Sequence, residues 1–228
     1  MDKKIFTENF NKAFESLFAV MVFDRAWQNR VRNLLGVPGA LNSERALQAE
    51  LCGVFAPFSP QWLVLVEPTV LVPSFGKGRT IRPDMIISRQ IATPDGTTIR
   101  YDVDLVVELK IQHRGKSYPD WFKDYENIAA IALHPESTVK VNQVGFDNRP
   151  HRFHGDTHFI SAVIAKHDSH ALDPKQAFEK ALSEVSEFRT AWKTTTLRNR
   201  FFLEAAEWGR EGVQPLSRPI SSVGDDEE

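Results

Sequence analysis

Cysteine is almost missing from this chain: Cys52 is the one residue of its kind among 228. A single thiol excludes an internal disulfide and any zinc site built from several cysteines, and it fits a reducing cytoplasm. Long apolar runs are missing too. The stretch "LFAVMVF" (17–23) follows Lys3 and Lys4 and so resembles a short secretory core. Glu15 and Ser16 stand before it, Asp24 and Arg25 end it, and no small-residue cleavage site follows. The expectation is no leader and no membrane span. A strong excess of one charge is absent as well. With a net charge of −2, nothing draws the whole chain toward nucleic acid, so a polyanion must be held by local bases or by a metal. "FGKGR" (75–79) is too short for a phosphate-binding P-loop, no Ser/His/Asp order stands out, and there is no internal repeat.

What is present is an ordinary globular composition, 42% hydrophobic and 25% charged. The length allows a full core in one domain over residues 1–218, and residues 219–228, ending in "DDEE", read as a disordered acidic tail. Residues 5–35 read as a helix whose stripe is Phe6, Phe10, Phe14, Leu17 and Met21, ended by Gly36 and Pro38. Core packing is the plain reading of that stripe; a dimer face is the sharper one. A second helix is expected from Ser43 to Phe58, burying Leu47, Leu51, Val54 and Phe58. "WLVLVEPTVLVP" (62–73) reads as a strand or a bent pair, "SFGKGRT" (74–80) as a loop, and "RPDMIIS" (82–88) as a strand starting after Pro83. "TPDGT" (93–97) is a turn, and residues 98–111 form a long strand with Tyr101, Val103, Leu105, Val107, Leu109 and Ile111 on one dry face. Pro119 opens a helix to Leu133, followed by strands at 139–146 and 158–167. Asp173, Pro174 and Gln176 start a helix that runs to about Trp192, with a further short helix after it. The order predicts a mixed α/β sheet flanked by helices.

The long strand carries Glu108 and Lys110 opposite its dry face, where burial without partners costs free energy. Asp84 stands 24 positions before Glu108, with the turn midway between them. A two-residue loop at Asp95–Gly96 sets Asp84 opposite Val107. A three- or five-residue loop centred on Gly96 sets it opposite Glu108. Only the second register, or a bulge, brings the two carboxylates to one face. Carboxylates about 4 Å apart repel by roughly 4 kcal/mol at an effective dielectric near 20. Lys110 offsets part of this, and a divalent ion offsets more. Carboxylate oxygens and a nearby carbonyl suit Mg²⁺, which keeps several waters and takes other ligands from phosphate. A surface hairpin with salt bridges is the plainer alternative.

"RPD" opening one strand, "ELK" closing the next and an acid on the preceding helix together resemble the PD-(D/E)XK nuclease superfamily, with its restriction-endonuclease-like fold. Pro83–Asp84 matches PD, Glu108-Leu109-Lys110 matches (D/E)XK, and the matching core spans about residues 43–134. The remainder, with extra N- and C-terminal helices, is left for dimerisation, recognition or regulation. The resemblance implies a Mg²⁺-dependent phosphodiesterase acting mostly on DNA, with Mn²⁺ as a substitute ion. Asp84, Glu108 and the Leu109 carbonyl would hold metal, and Lys110 would position or activate water. Many relatives add a glutamate from the first core helix; Glu44 lies on the inward line, and Glu50 is the substitute.

Lys77, Arg79 and Arg82 precede or open the PD strand, and His113, Arg114 and Lys116 follow the ELK segment. All six are placed as DNA-backbone contacts, with a solvated surface as the alternative. Trp121, Phe122 and Tyr125 read as core, although Lys123 and Tyr125 could still face a substrate. "HRFHGDTH" (151–158) has the spacing of a transition-metal site in His151, His154, Asp156 and His158, but a solvated or phosphate-contacting loop is the preferred reading. The function expected is a cytoplasmic DNA endonuclease, a homodimer or higher homo-oligomer, in restriction or another antiviral defence. A non-catalytic nucleic-acid-binding scaffold and a ligand-activated effector nuclease are the alternatives.

Overall fold

A computed structural model describes residues 16–29, 44–58, 62–73, 78–92, 99–111, 119–140, 151–166, 173–209 and 212–215. The expectations for residues 5–15, 30–36, 43, 74–77, 93–98, 112–118, 141–150 and 219–228 lie outside these.

Helix α1 covers 16–29 and α2 covers Glu44–Phe55, continued by a 3₁₀ turn at Ala56–Phe58. Strands β1 (Trp62–Val66), β2 (Thr69–Val72), β3 (Arg79–Ile81), β4 (Met85–Ala92) and β5 (Ile99–Ile111) follow. Then come α3 (Pro119–Leu133), β6 (Thr138–Lys140), β7 (His151–Arg152), β8 (His158–Lys166), α4 (Pro174–Glu184), α5 (Ser186–Thr194), β9 (Phe201–Gly209) and β10 (Gly212–Pro215). The ten strands form one mixed sheet. Its spine is β1-β4-β5-β8-β9-β10, and a branch of β7, β6, β2 and β3 leaves the first half of β5. Parallel neighbours need a crossover. The β5–β8 crossover carries α3, and the β8–β9 crossover carries α4 and α5.

Helices cover both faces, each over its own core. Met85, Ile87, Leu105, Val107, Leu109 and Ile111 pack with α1 and α2. Ile86, Val103, Val106, Phe159 and Val163 pack with α3, α4 and α5, where Tyr125, Phe178, Phe188 and Phe201 make an aromatic cluster. The bent pair expected at 62–73 divides at Glu67, whose φ of 46° is left-handed. β1 then joins β4, while β2 joins β3 and β6.

The long strand departs from the expected single dry face. Near the turn Ser88 pairs with Val103, and beyond it Ile87 pairs with Leu105, so Asp104 is an extra, bulged residue. A bulge exchanges the faces: Val103 lies in the α3 core and Leu105 in the α1/α2 core. The Asp104 carboxylate is fully buried and anchors the bulge. It accepts from Arg89 Nε at 3.0 Å and Nη2 at 3.2 Å, from Trp62 Nε1 at 3.0 Å and from Ser16 Oγ at 3.0 Å.

Three further expectations need correction. In α1 the buried line is Ser16, Ala19, Val20, Phe23, Ala26 and Trp27; Leu17 and Met21 are 43% and 59% exposed. In α2, Phe55 and Gln48 are buried and Val54 is half-buried. The helix expected to reach Trp192 is broken at Val185, an extended residue pinned in the core. After it the chain forms β9 and β10, which its sequence did not announce. The Asp173 cap is as expected, accepting from Lys175 N at 2.9 Å.

Candidate active site

Strand β5 outlasts its neighbour β4. The ladder ends at Met85–Val107, so the next inward N–H groups on that edge, at Leu109 and Ile111, lack a strand to bond. Buried backbone donors need acceptors, and two carboxylates supply them. Leu109 N donates to Asp84 Oδ2 at 2.6 Å, and Ile111 N donates to Glu44 Oε1 at 3.2 Å. Asp84 sits just before β4, where its own carbonyl accepts from Glu67 N at 2.9 Å, and its Oδ1 accepts from Gln48 Nε2 at 3.1 Å. The two acids that the sequence separates by a hairpin and a helix thus meet where the sheet edge is open.

From the bulge onward the even positions of β5 face α3. Glu108 is 4% exposed and accepts from Asn127 Nδ2 at 3.2 Å through Oε1. Lys110 Nζ lies 2.8 Å from Asp124 Oδ2. The carboxylates of Asp124, Glu44 and Asp84 all act on this one ammonium. Burial raises the Asp84 pKa to about 6; the Leu109 N–H opposes this, and the charges of Asp124 and Glu44 add to it. Burial, then the charges of Asp124 and Asp84, push Glu108 well above the usual carboxylate range. The Asp84 and Glu108 side chains share a hydrogen bond, favouring the ionised form of the first and the protonated form of the second. Asp124 is raised by burial despite Lys110. Burial would lower Lys110, but the carboxylates of Asp124, Glu44 and Asp84 outweigh it and raise the pKa.

The structure brings Asp84, Glu108, Lys110 and Glu44 near one another, by way of the bulge. The registers on the two sides of Asp104 are the two alternatives the turn allowed. Among the described residues no three His, Cys, Asp or Glu side chains form a ready metal cage. The donors are hard oxygens in the Asp84–Glu108 pair, a set that suits an ion taking one or two carboxylates and filling its other positions from water and phosphate.

Comparison with family models, with curated proteins and with solved structures finds no match.

The expected DNA contacts fare unequally. Arg79 is held by Glu187 at 3.0 Å and Glu126 at 3.4 Å, so its charge is engaged by α3 and α5. Arg82 is exposed beside Pro83. Lys77, His113, Arg114 and Lys116 lie outside the described residues. Tyr125 is 1% exposed inside the aromatic cluster, away from any substrate, whereas Lys123 is exposed. The histidine segment is neither a solvated loop nor a metal group among the described residues. His151 stacks on Tyr101 with ring centres 4.7 Å apart and bonds Ser88 Oγ through Nδ1 at 3.0 Å. His154 Nε2 faces Asp104 at 3.6 Å, and burial lowers the pKa of His151 and of His158 to about 4.

Sequence reasoning missed Gln48, Asp124 and Asn127. Each left a signal, because each is a polar residue on a buried helical line. Gln48 follows Glu44 by one helical turn, and Asp124 and Asn127 lie among Trp121, Ile128 and Ile131.

Proposed function

We propose that the chain is a metal-dependent phosphodiesterase, a DNA endonuclease of the PD-(D/E)XK kind with a restriction-endonuclease-like core. The observation that carries this reading is the gathering of Asp84, Glu108 and Lys110 at the open end of β5, with Glu44 beside them. The order α2, β1, β4, β5, α3 supports it, with β2 and β3 inserted between β1 and β4.

Asp84, Glu108 and the Leu109 carbonyl would hold Mg²⁺ or Mn²⁺. When bound, the ion supplies positive charge to the phosphate and a more acidic water. The chain's own groups do the rest. The Lys110 ammonium orients the attacking water and faces the negative charge that grows on the phosphate oxygens. Glu44 keeps the end of β5 in place through Ile111 N. The apolar cores beneath the site hold these side chains on rigid strands rather than loops. Cutting both strands of a duplex needs two such sites, so a homodimer is the natural assembly. A setting in restriction or antiviral defence rests on analogy alone.

Supercoiled plasmid incubated with the protein and Mg²⁺ or Mn²⁺ is expected to be nicked and linearised, and to stay intact in EDTA. Asp84→Ala and Lys110→Ala are each expected to abolish cutting. Cleavage that persists in both variants removes the site assignment, and a plasmid intact in every tube leaves a binding scaffold. Cutting only when a nucleotide is added marks a ligand-activated effector.

A further inference from the structure

We propose that Asp124 and Asn127 are positioning residues of this site: from one face of α3 they fix Lys110 and Glu108, so that the helix sets where the ammonium stands relative to the carboxylate. The inference rests on the phosphodiesterase reading and deepens it.

The two motif residues reach α3 in register. Glu108 and Lys110 are two residues apart on a strand, about 6.7 Å. Asp124 and Asn127 are three apart on a helix, about 4.5 Å along its axis and on one side of it. Each helix side chain meets one strand side chain, Asp124 with Lys110 at 2.8 Å and Asn127 with Glu108 at 3.2 Å. A lysine has a flexible four-carbon stem and samples many rotamers when free. Here it is 16% exposed and has its ammonium against one carboxylate. Asn127 occupies Oε1 of Glu108, which fixes the carboxyl plane and leaves its other oxygen for Asp84 and a cation. The helix is itself seated firmly: Trp121, Tyr125, Ile128 and Ile131 are buried on the same side. Partners that orient ligand side chains in this way typically carry about 10–100-fold in activity or metal affinity.

The test uses the full chain and follows plasmid cleavage with Mg²⁺ alongside lysine labelling. Asp124→Ala and Asn127→Ala are expected to keep the circular-dichroism spectrum and KM for DNA while kcat falls about 10–100-fold. Asp124→Glu is expected to recover most of the loss, which a merely structural role would not show. Asp124→Asn serves if the alanine variant does not fold. Reductive methylation mapped by mass spectrometry is expected to reach Lys110 severalfold faster in Asp124→Ala, with the exposed Lys140 and Lys175 unchanged. Wild-type kcat in Asp124→Ala overturns the inference and leaves the nuclease reading standing. If the wild type cuts nothing, that reading fails on its own. Labelling then decides separately: an unchanged Lys110 rate removes the positioning role, and a faster one upholds it.

Discussion

Single residues carry the strongest departures from ordinary solution chemistry, and not all of them belong to the site. Glu204 on β9 is 8% exposed, has no partner for Oε2, and lies near Asp24 of α1. Burial, then the Asp24 charge, raises its pKa from 4.5 to about 7. Between those values the native state keeps a proton that the unfolded chain has released, so stability falls as pH rises through the window. The loss is about 3 kcal/mol in all and is complete above the folded value. Glu204→Gln keeps the shape and cannot ionise. In urea titrations it is expected to match the wild type near pH 4.5 and to exceed it at pH 8; the same downward drift in the variant would show that another group is responsible. Glu44 and Asp84 were legible as single residues because a carboxylate on an inward line stands out. Asp124 left a weaker signal, a polar residue on a buried helical line, and its partner Lys110 is fixed only once the strand beneath the helix is in place.

Among the elements, β5 decides most. Its bulge at Asp104 ties α1, β1 and β4 to one carboxylate, and it turns Glu108 and Lys110 toward α3. Burial would raise the Asp104 pKa, but the nearby His154 ring, the charge and hydrogen bonds of Arg89 and the Trp62 N–H outweigh it and hold the group below its ordinary value. Removing one partner of a buried ion pair leaves the other charge uncompensated. Asp104→Ala is therefore expected to cost about 3–5 kcal/mol in chemical unfolding. Asp104→Ala combined with Arg89→Leu is expected to be more stable than Asp104→Ala alone. A double variant no better than the single one would mean that Arg89 is not the charge at stake. A bulge was one of the alternatives the sequence allowed, but its position was hidden because Asp104 keeps the even-position pattern of Asp102, Glu108 and Lys110. Strand β9 was hidden for another reason: "FFLEAAEWG" is rich in helix formers, and pairing with β8 overrides that preference.

At the scale of the whole molecule, the site and the fold oppose each other. The carboxylates of Asp124, Glu44 and Asp84 crowd one lysine at the end of the sheet, between two largely apolar cores. A bound divalent ion would relieve that crowding and stabilise the native state by mass action, about 2.7 kcal/mol at a hundredfold excess over Kd. Melting temperature is expected to rise by several degrees with millimolar Mg²⁺ in the wild type. Glu108→Gln is expected to lose that rise and to melt above the wild type in EDTA. An equal Mg²⁺ shift in the variant would place the ion elsewhere. No helix among the described residues is long and apolar enough to cross a membrane.

The sequence by itself determined the class of the fold, the two carboxylates and lysine worth watching, and the inward glutamate of α2. Periodicity, turn residues and helix caps are local properties, written over a few positions. Tertiary structure decided the register of the hairpin, the bulge that chooses which face the motif uses, the branch of the sheet at Glu67, and the partners Asp124 and Asn127. Those choices depend on which distant groups satisfy a buried charge or an unpaired N–H, and such a condition exists only once the chain has folded.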